Sequence, residues 1–148
     1  MKCLIVDDEE MAIKVIDNHL SYMDGLEVVG RYANAPEAFS ALQRERIDLL
    51  FLDIQMPKMS GLSLLKSLSQ RPHVILTTAH RDFALEGFEL DVVDYLLKPI
   101  SLDRFLKAVA KVFQLENRQP PSYQAPNTQI IQEPPFFYIK SDRQFIKI

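Results

Sequence analysis

Asp48-Leu-Leu-Phe-Leu-Asp53-Ile-Gln-Met-Pro57 is the stretch on which the reading of the fold turns. Four apolar residues, Leu49 to Leu52, run into a carboxylate, and a proline follows four residues later. A short unbroken apolar run bounded by turn signals predicts a strand covered on both faces. Pro57 has no N–H to give a ladder, so the strand ends before it. Asp53 then stands at the carboxyl end of a buried strand, where open α/β sheets place their ligands. An Asp that ends a strand also accepts backbone hydrogen bonds in a turn. This stretch alone leaves both readings open.

The flanks repeat the pattern. Residues 2–6 (Lys-Cys-Leu-Ile-Val) read as a first strand that stops on Asp7-Asp8-Glu9-Glu10. Met11, Ala12, Val15, Ile16 and Leu20 then recur at helical spacing. Capping and the helix dipole account for Glu9 and Glu10. They do not account for Asp7 and Asp8, because adjacent carboxylates repel unless a cation or solvent relieves them. After the Asp24-Gly25 turn, residues 26–32 read as a second strand. Asn34 caps a helix with Ala35, Ala38, Phe39 and Leu42 on its inner face.

Beyond Asp53, Ser60-Gly61 opens a helix carrying Leu62, Leu64, Leu65 and Leu68. Pro72 breaks the chain, and residues 73–78 form a fourth strand ending in Thr77-Thr78. Residues 82–90 read as helical despite Gly87, which costs about 1 kcal/mol relative to alanine. Residues 92–97 make a fifth strand closed by Lys98-Pro99. Ser101 caps a last helix whose apolar face is Leu102, Phe105, Leu106, Val109 and Phe113.

Strands alternating with helices predict an α/β fold, a five-stranded parallel sheet with helices on both faces. Right-handed crossovers make it doubly wound. All the carboxyl ends then meet along one edge. That edge gathers Asp7, Asp8, Asp53, Thr78 and Lys98.

Composition narrows the function classes. The 148 residues suit one domain with an extra segment, and 47% apolar content excludes wholesale disorder. A net charge of −3 gives no general attraction to nucleic acid or to anionic membranes. Cys3 is the single cysteine, which excludes a disulfide framework and a cysteine-based zinc site. Its apolar strand makes it a small buried residue. No run is long enough to span a membrane and the acidic N-terminal region is no signal peptide, so a cytoplasmic location is expected.

Three carboxylates in one place bind a hard divalent cation, and Mg²⁺ favours one or two of them with waters and phosphate oxygens. Asp53, ionised at neutral pH, is then a nucleophile that needs no general base. Phosphoryl transfer asks for positioning and for neutralised charge on three equatorial oxygens. Mg²⁺ takes one, Lys98 a second, and the Thr78 hydroxyl with backbone N–H groups the third. Taken singly, Lys98-Pro99 is explained as a turn and Thr78 as a β-branched strand residue.

Taken together, these residues resemble a bacterial response-regulator receiver domain over residues 1–116. The likeness rests on Asp7-Asp8, on Leu52-Asp53-Ile-Gln-Met-Pro57 with Gly61, on Thr78-Ala79, and on Tyr95-Leu-Leu-Lys98-Pro99. The resemblance implies a flavodoxin-like strand order of 2-1-3-4-5. It implies Asp53 as phosphoacceptor from a sensor histidine kinase. It also implies Asp8, Asp53 and the Gln55 carbonyl as Mg²⁺ ligands, with Asp7 acting through water. A cis bond before Pro99 and a switch made of Thr78 and Tyr95 belong to the same expectation. Gln55 and His80, two residues past Asp53 and Thr78, are expected to tune the phosphoryl lifetime. The chain is then no enzyme in the ordinary sense, catalysing only its own phosphorylation and dephosphorylation.

Residues 117–135 change character, holding five of the nine prolines, and read as an extended linker. Residues 136–148 (Phe-Phe-Tyr-Ile-Lys-Ser-Asp-Arg-Gln-Phe-Ile-Lys-Ile) read as two short strands. A lone hairpin is marginal in water, so these look like the opening of a domain left incomplete. With Ala84-Leu-Glu-Gly-Phe-Glu-Leu90 and Asp94-Tyr-Leu-Leu-Lys-Pro-Ile100, they are similar to LytTR-type regulators. That likeness implies DNA binding for a full-length parent protein. The Thr78 and Tyr95 switch and the opposite charges on one face predict a phosphorylation-promoted homodimer through 82–90, 92–97 and 102–113. There Glu86, Glu89, Asp91 and Asp94 would meet Arg104, Lys107 and Lys111 across a two-fold axis. Two other classes compete. A dehalogenase-type phosphohydrolase needs a second Asp where Gln55 stands, and a stand-alone interaction module leaves the LytTR-like tail unexplained.

Overall fold

The computed structural model describes residues 1–82 and 89–116. The expected linker 117–135, the hairpin 136–148 and most of the helix at 82–90, with Glu86 and Gly87, lie outside the described residues.

Five strands form one parallel sheet. They are β1 (Lys2–Val6), β2 (Glu27–Tyr32), β3 (Leu49–Asp53), β4 (His73–Thr78) and β5 (Asp94–Leu97). Their spatial order is β2-β1-β3-β4-β5, the flavodoxin-like order expected. The described helices are α1 (Glu10–Leu20), α2 (Ala35–Arg44), α3 (Gly61–Ser67) and α4 (Leu102–Glu116). β2 and β5 are shorter at their starts than the apolar pattern suggested, with Leu26, Val92 and Val93 outside the ladders.

The central strand behaves as its unbroken apolar run required. Every residue of β3 is buried, because side chains alternate between two covered faces. Cys3, Ile5, Phe51, Ile75 and Leu96 point to one side, where they meet Ile16 and Leu20 of α1 and Phe105, Val109 and Phe113 of α4. Leu4, Leu50, Leu52 and Leu76 point to the other, against Ala35, Ala38 and Ala41 of α2 and Leu62, Leu64 and Leu65 of α3. Cys3 is fully buried, and burial above all pushes its thiol up to about 12, which makes it inert.

Local signals set the helix starts. Asn34 Oδ1 accepts from the Glu37 N–H at 2.9 Å, and Ser60 Oγ from the Ser63 N–H at 3.1 Å. Two expectations need correction. Met11 fits the helical period yet is 68% exposed. Glu9 stands at the N-cap of α1, but its side chain makes no capping hydrogen bond.

Candidate functional site

Parallel strands deliver their carboxyl ends to one edge, and there β1, β3, β4 and β5 bring their terminal residues together. Carboxylate oxygens of Asp7, Asp8 and Asp53 lie within 4.8 Å of one another. Asp7 and Asp53 are buried, and Asp8 is exposed. Lys98 Nζ reaches into this group from the end of β5, 3.0 Å from Asp7 Oδ2 and 3.5 Å from Asp53 Oδ1. The peptide bond from Lys98 to Pro99 is cis, as expected. His19 Nε2 lies 2.8 Å from the Ile100 carbonyl oxygen, which ties α1 to the segment that follows Lys98.

The electrostatics differ in one respect from the expectation of a freely ionised Asp53. Burial, then the neighbouring Asp7 charge, push the Asp53 carboxyl up to about 7, although Lys98 pulls it down. Asp53 therefore holds its proton more tightly than an ordinary carboxyl does. Lys98 is held above its ordinary value: burial opposes its charge, but Asp7, Asp53 and Glu9 outweigh that.

The donor set fits a hard cation. It offers three carboxylates at one mouth. Asp7 Oδ2 is moreover a buried oxygen without a hydrogen-bond donor of good geometry, its 3.0 Å approach to Lys98 being an ion pair alone. These residues could hold a metal ion such as Mg²⁺.

Thr78 is buried, and its hydroxyl is engaged by the His80 backbone. Its Oγ1 accepts from the His80 N–H at 3.0 Å and lies 3.2 Å from the His80 carbonyl. His80 and Gln55 are exposed in the loops beyond β4 and β3. No carboxylate occupies the Gln55 position that a phosphohydrolase would need. Tyr95 is half-buried on β5, with the Arg104 guanidinium 5.9 Å from its ring centre.

The sequence reading missed the part that two residues play. Lys98 Nζ donates a hydrogen bond to Glu9 Oε1 at 3.1 Å, so Glu9 reaches the site and leaves the helix uncapped. Its one cue was its place directly after Asp8, and the capping explanation absorbed it. Gly61 is the second. A Cβ there would collide with the Asp53 carbonyl oxygen, and the Gly61 N–H donates to the Ile54 carbonyl at 2.8 Å. The sequence showed it after a helix cap and among the residues that carry the family resemblance, but not the close approach to Asp53 that excludes a side chain.

The charges expected to pair across a dimer axis are partly spent within the chain. Asp94 is 2% exposed and bound by Arg104 and Lys111, so it is not an interface acid.

A family model described as the response regulator receiver domain matches residues 3–110. The chain belongs to that family. The receiver is 41% identical over 133 residues to the transcriptional regulatory protein BtsR of Salmonella typhi, covering 88% of this chain and 56% of BtsR. It is 44% identical over 115 residues to the sensory transduction protein LytR of Staphylococcus haemolyticus, covering 76% of this chain and 45% of LytR. The chain thus spans about half the length of these curated relatives. The expected kinship with LytTR-type regulators stands on these two. Among solved structures, the response regulatory domain of protein mrkE from Klebsiella pneumoniae superposes with a TM-score of 0.74 at 30% identity. That match covers 80% of this chain and 100% of the mrkE domain. The molecule is therefore a receiver of the two-component signalling type. Among the described residues, no helix is long and apolar enough to cross a membrane.

Proposed function

We propose that this receiver is a phosphorylation switch in which Asp53 takes a phosphoryl group from a sensor histidine kinase. The observation that carries the reading is the convergence of Asp7, Asp8, Asp53 and Lys98 at one sheet edge, with Lys98 Nζ 3.5 Å from Asp53 Oδ1. An Asp53 oxygen attacks phosphorus, the P–N bond to the kinase imidazole breaks, and the imidazole leaves with its electron pair. Lys98 stands where it can neutralise one phosphoryl oxygen. The Thr78 hydroxyl serves another once it turns from the His80 backbone.

Asp8, Asp53 and the Gln55 carbonyl would hold Mg²⁺, with Asp7 linked through water. When bound, the ion supplies charge neutralisation on a phosphoryl oxygen. The chain catalyses only its own phosphorylation and dephosphorylation. Gln55 and His80 flank the path of the attacking water and tune how long the acyl phosphate lasts. A Gln55→Ala, His80→Ala protein that loses phosphate at the wild-type rate removes them from this role.

Turning of Thr78 vacates space beside β4, and Tyr95 then moves inward from its half-buried position. That movement re-shapes the face made by 82–90, β5 and α4, and favours a homodimer through it. Residues 117–135 link the receiver, residues 1–116, to a DNA-binding output that residues 136–148 begin. The names of BtsR and LytR support a regulatory output in the longer protein.

The test is mass spectrometry after acetyl phosphate treatment with and without Mg²⁺. Wild type should gain one phosphoryl group only with Mg²⁺, and Asp53→Asn should gain none. An equal gain in both proteins removes Asp53 from its role.

A further inference from the structure

We propose that Glu9 is a positioning residue that tethers Lys98 in the resting site and must release it when a phosphoryl group arrives. The proposal rests on the reading of Asp53 as phosphoacceptor, but its geometry stands apart from that reading.

Three carboxylates surround the Lys98 ammonium, at 3.0 Å (Asp7 Oδ2), 3.1 Å (Glu9 Oε1) and 3.5 Å (Asp53 Oδ1). An ammonium has three protons to give, and a phosphoryl oxygen on Asp53 needs one of them. Of the three, Glu9 is the carboxylate whose contact with Lys98 has the distance and angle of a hydrogen bond. Asp7 and Asp53 are buried and have work in the chemistry. Glu9 has none: its side chain is 64% exposed and stands at a helix start without capping it.

The consequence is a competition. In the resting site Glu9 holds a Lys98 proton to the solvent side of the pocket. The transferring phosphoryl group has to draw the Lys98 ammonium inward, away from Glu9, so the contact stabilises the ground state and not the transition state. Because Glu9 is well exposed, solvent screens the ion pair and limits its strength. It is a modest brake on delivery of Lys98, with no part in binding phosphate.

Two substitutions separate reach from charge. Glu9→Ala removes both. Glu9→Asp keeps the charge but shortens the arm by one methylene, which takes the oxygen out of reach of Nζ. Rates of phosphoryl incorporation from acetyl phosphate, measured over a range of donor concentrations, divide maximal rate from half-saturation. With a tether, both variants raise the maximal rate by about two- to fivefold, the scale open to an exposed ion pair. With a general effect of charge, Glu9→Asp matches wild type and Glu9→Ala changes only the half-saturating concentration. That result overturns the proposal.

A second readout needs no phosphoryl transfer. Thermal unfolding of the Mg²⁺-free protein is measured for Glu9→Ala, Lys98→Ala and the double variant. Direct contact makes the two effects non-additive, and additive effects overturn the proposal. If wild type accepts no phosphoryl group, the reading of Asp53 fails while this cycle still decides whether Glu9 holds Lys98.

Discussion

Arg104 grips Asp94 with both terminal nitrogens of its guanidinium, Nη1 to Oδ2 and Nη2 to Oδ1, each at 2.9 Å. Lys111 Nζ adds a third bond to Asp94 Oδ2 at 2.9 Å, and the Tyr95 N–H a fourth at 2.8 Å. A carboxylate on β5 is thereby clamped to α4 beneath the face on which a partner would dock. Burial alone would raise the Asp94 carboxyl, but Arg104 and Lys111 outweigh it and hold it below its ordinary value.

Truncating one partner of such a buried pair is costly, because the other charge stays behind. Arg104→Ala should cost about 2 kcal/mol, below the range for a fully buried pair, since Arg104 is 38% exposed and Lys111 remains to Asp94. The dependence on pH follows from the depressed carboxyl. Its stabilisation is complete above the unfolded value of about 3.9 and fades as pH falls through the lower folded value. Urea unfolding of wild type and Asp94→Asn should therefore differ at pH 7 and converge in strong acid. A gap that persists in acid would mean that the Asp94 charge is not the source.

The same clamp changes how the proposed dimer is tested. Arg104→Glu would press a second carboxylate against Asp94 and damage the fold, so its failure to dimerise would mean nothing. Lys107 is exposed on α4, as Glu89 and Asp91 are ahead of β5, and it serves instead. Light scattering should show a mass increase for wild type with beryllofluoride and Mg²⁺, and a loss of that increase in Lys107→Glu. A mass increase left intact in Lys107→Glu puts the contact on another face.

Asp53 behaves in the opposite sense to Asp94. Its carboxyl is pushed up to about 7 by burial and by Asp7, so the native state holds this proton more tightly than the unfolded chain does. Stability of the Mg²⁺-free protein should then fall as pH rises from about 4 to about 7. Asp53→Asn should raise the melting temperature at pH 8 and have a smaller effect at pH 5. Adding Mg²⁺ at pH 8 should raise the melting temperature of wild type far more than that of Asp53→Asn, because a ligand that binds only the native state stabilises it. Equal Mg²⁺ shifts in the two proteins would remove Asp53 from the metal site.

Gly61 should tolerate no side chain. A methyl group there strikes the backbone of Asp53, and a main-chain obstacle cannot swing aside as the tip of a long side chain can. Gly61→Ala should cost about 1–3 kcal/mol and slow phosphoryl acceptance at Asp53. The measurements are urea unfolding and the acetyl phosphate reaction. A variant as stable and as active as wild type would show that the loop after β3 yields freely.

Much of this receiver is legible in its sequence. The unbroken run Leu49 to Leu52 could be satisfied only between two covered faces, and β3 is buried throughout. Strands that alternate with helices pair in parallel, and parallel pairing sends Asp7, Asp8, Asp53 and Lys98 to one edge whatever their separation in the chain. Local hydrogen-bond chemistry was equally readable at Asn34 and Ser60, whose side chains cap the helices that follow them.

What the sequence determined by itself was therefore whatever depends on short spacing: strand and helix periods, caps, and the edge at which each strand ends. Tertiary structure alone decided which of several equivalent charges meet. Glu9 and Glu10 are identical in type and adjacent, and only the shared sheet edge, which gathers the segments after β1 and β5, places Glu9 beside Lys98. Arg104, Lys107 and Lys111 lie on one helix, yet Arg104 and Lys111 reach Asp94 while Lys107 stays exposed. The Asp53 proton is of the same kind, since desolvation and the Asp7 charge act on it only once β1 and β3 are side by side. Pairing and burial are properties of distances in space, and a charge on a flexible side chain carries no mark of the partner it will reach.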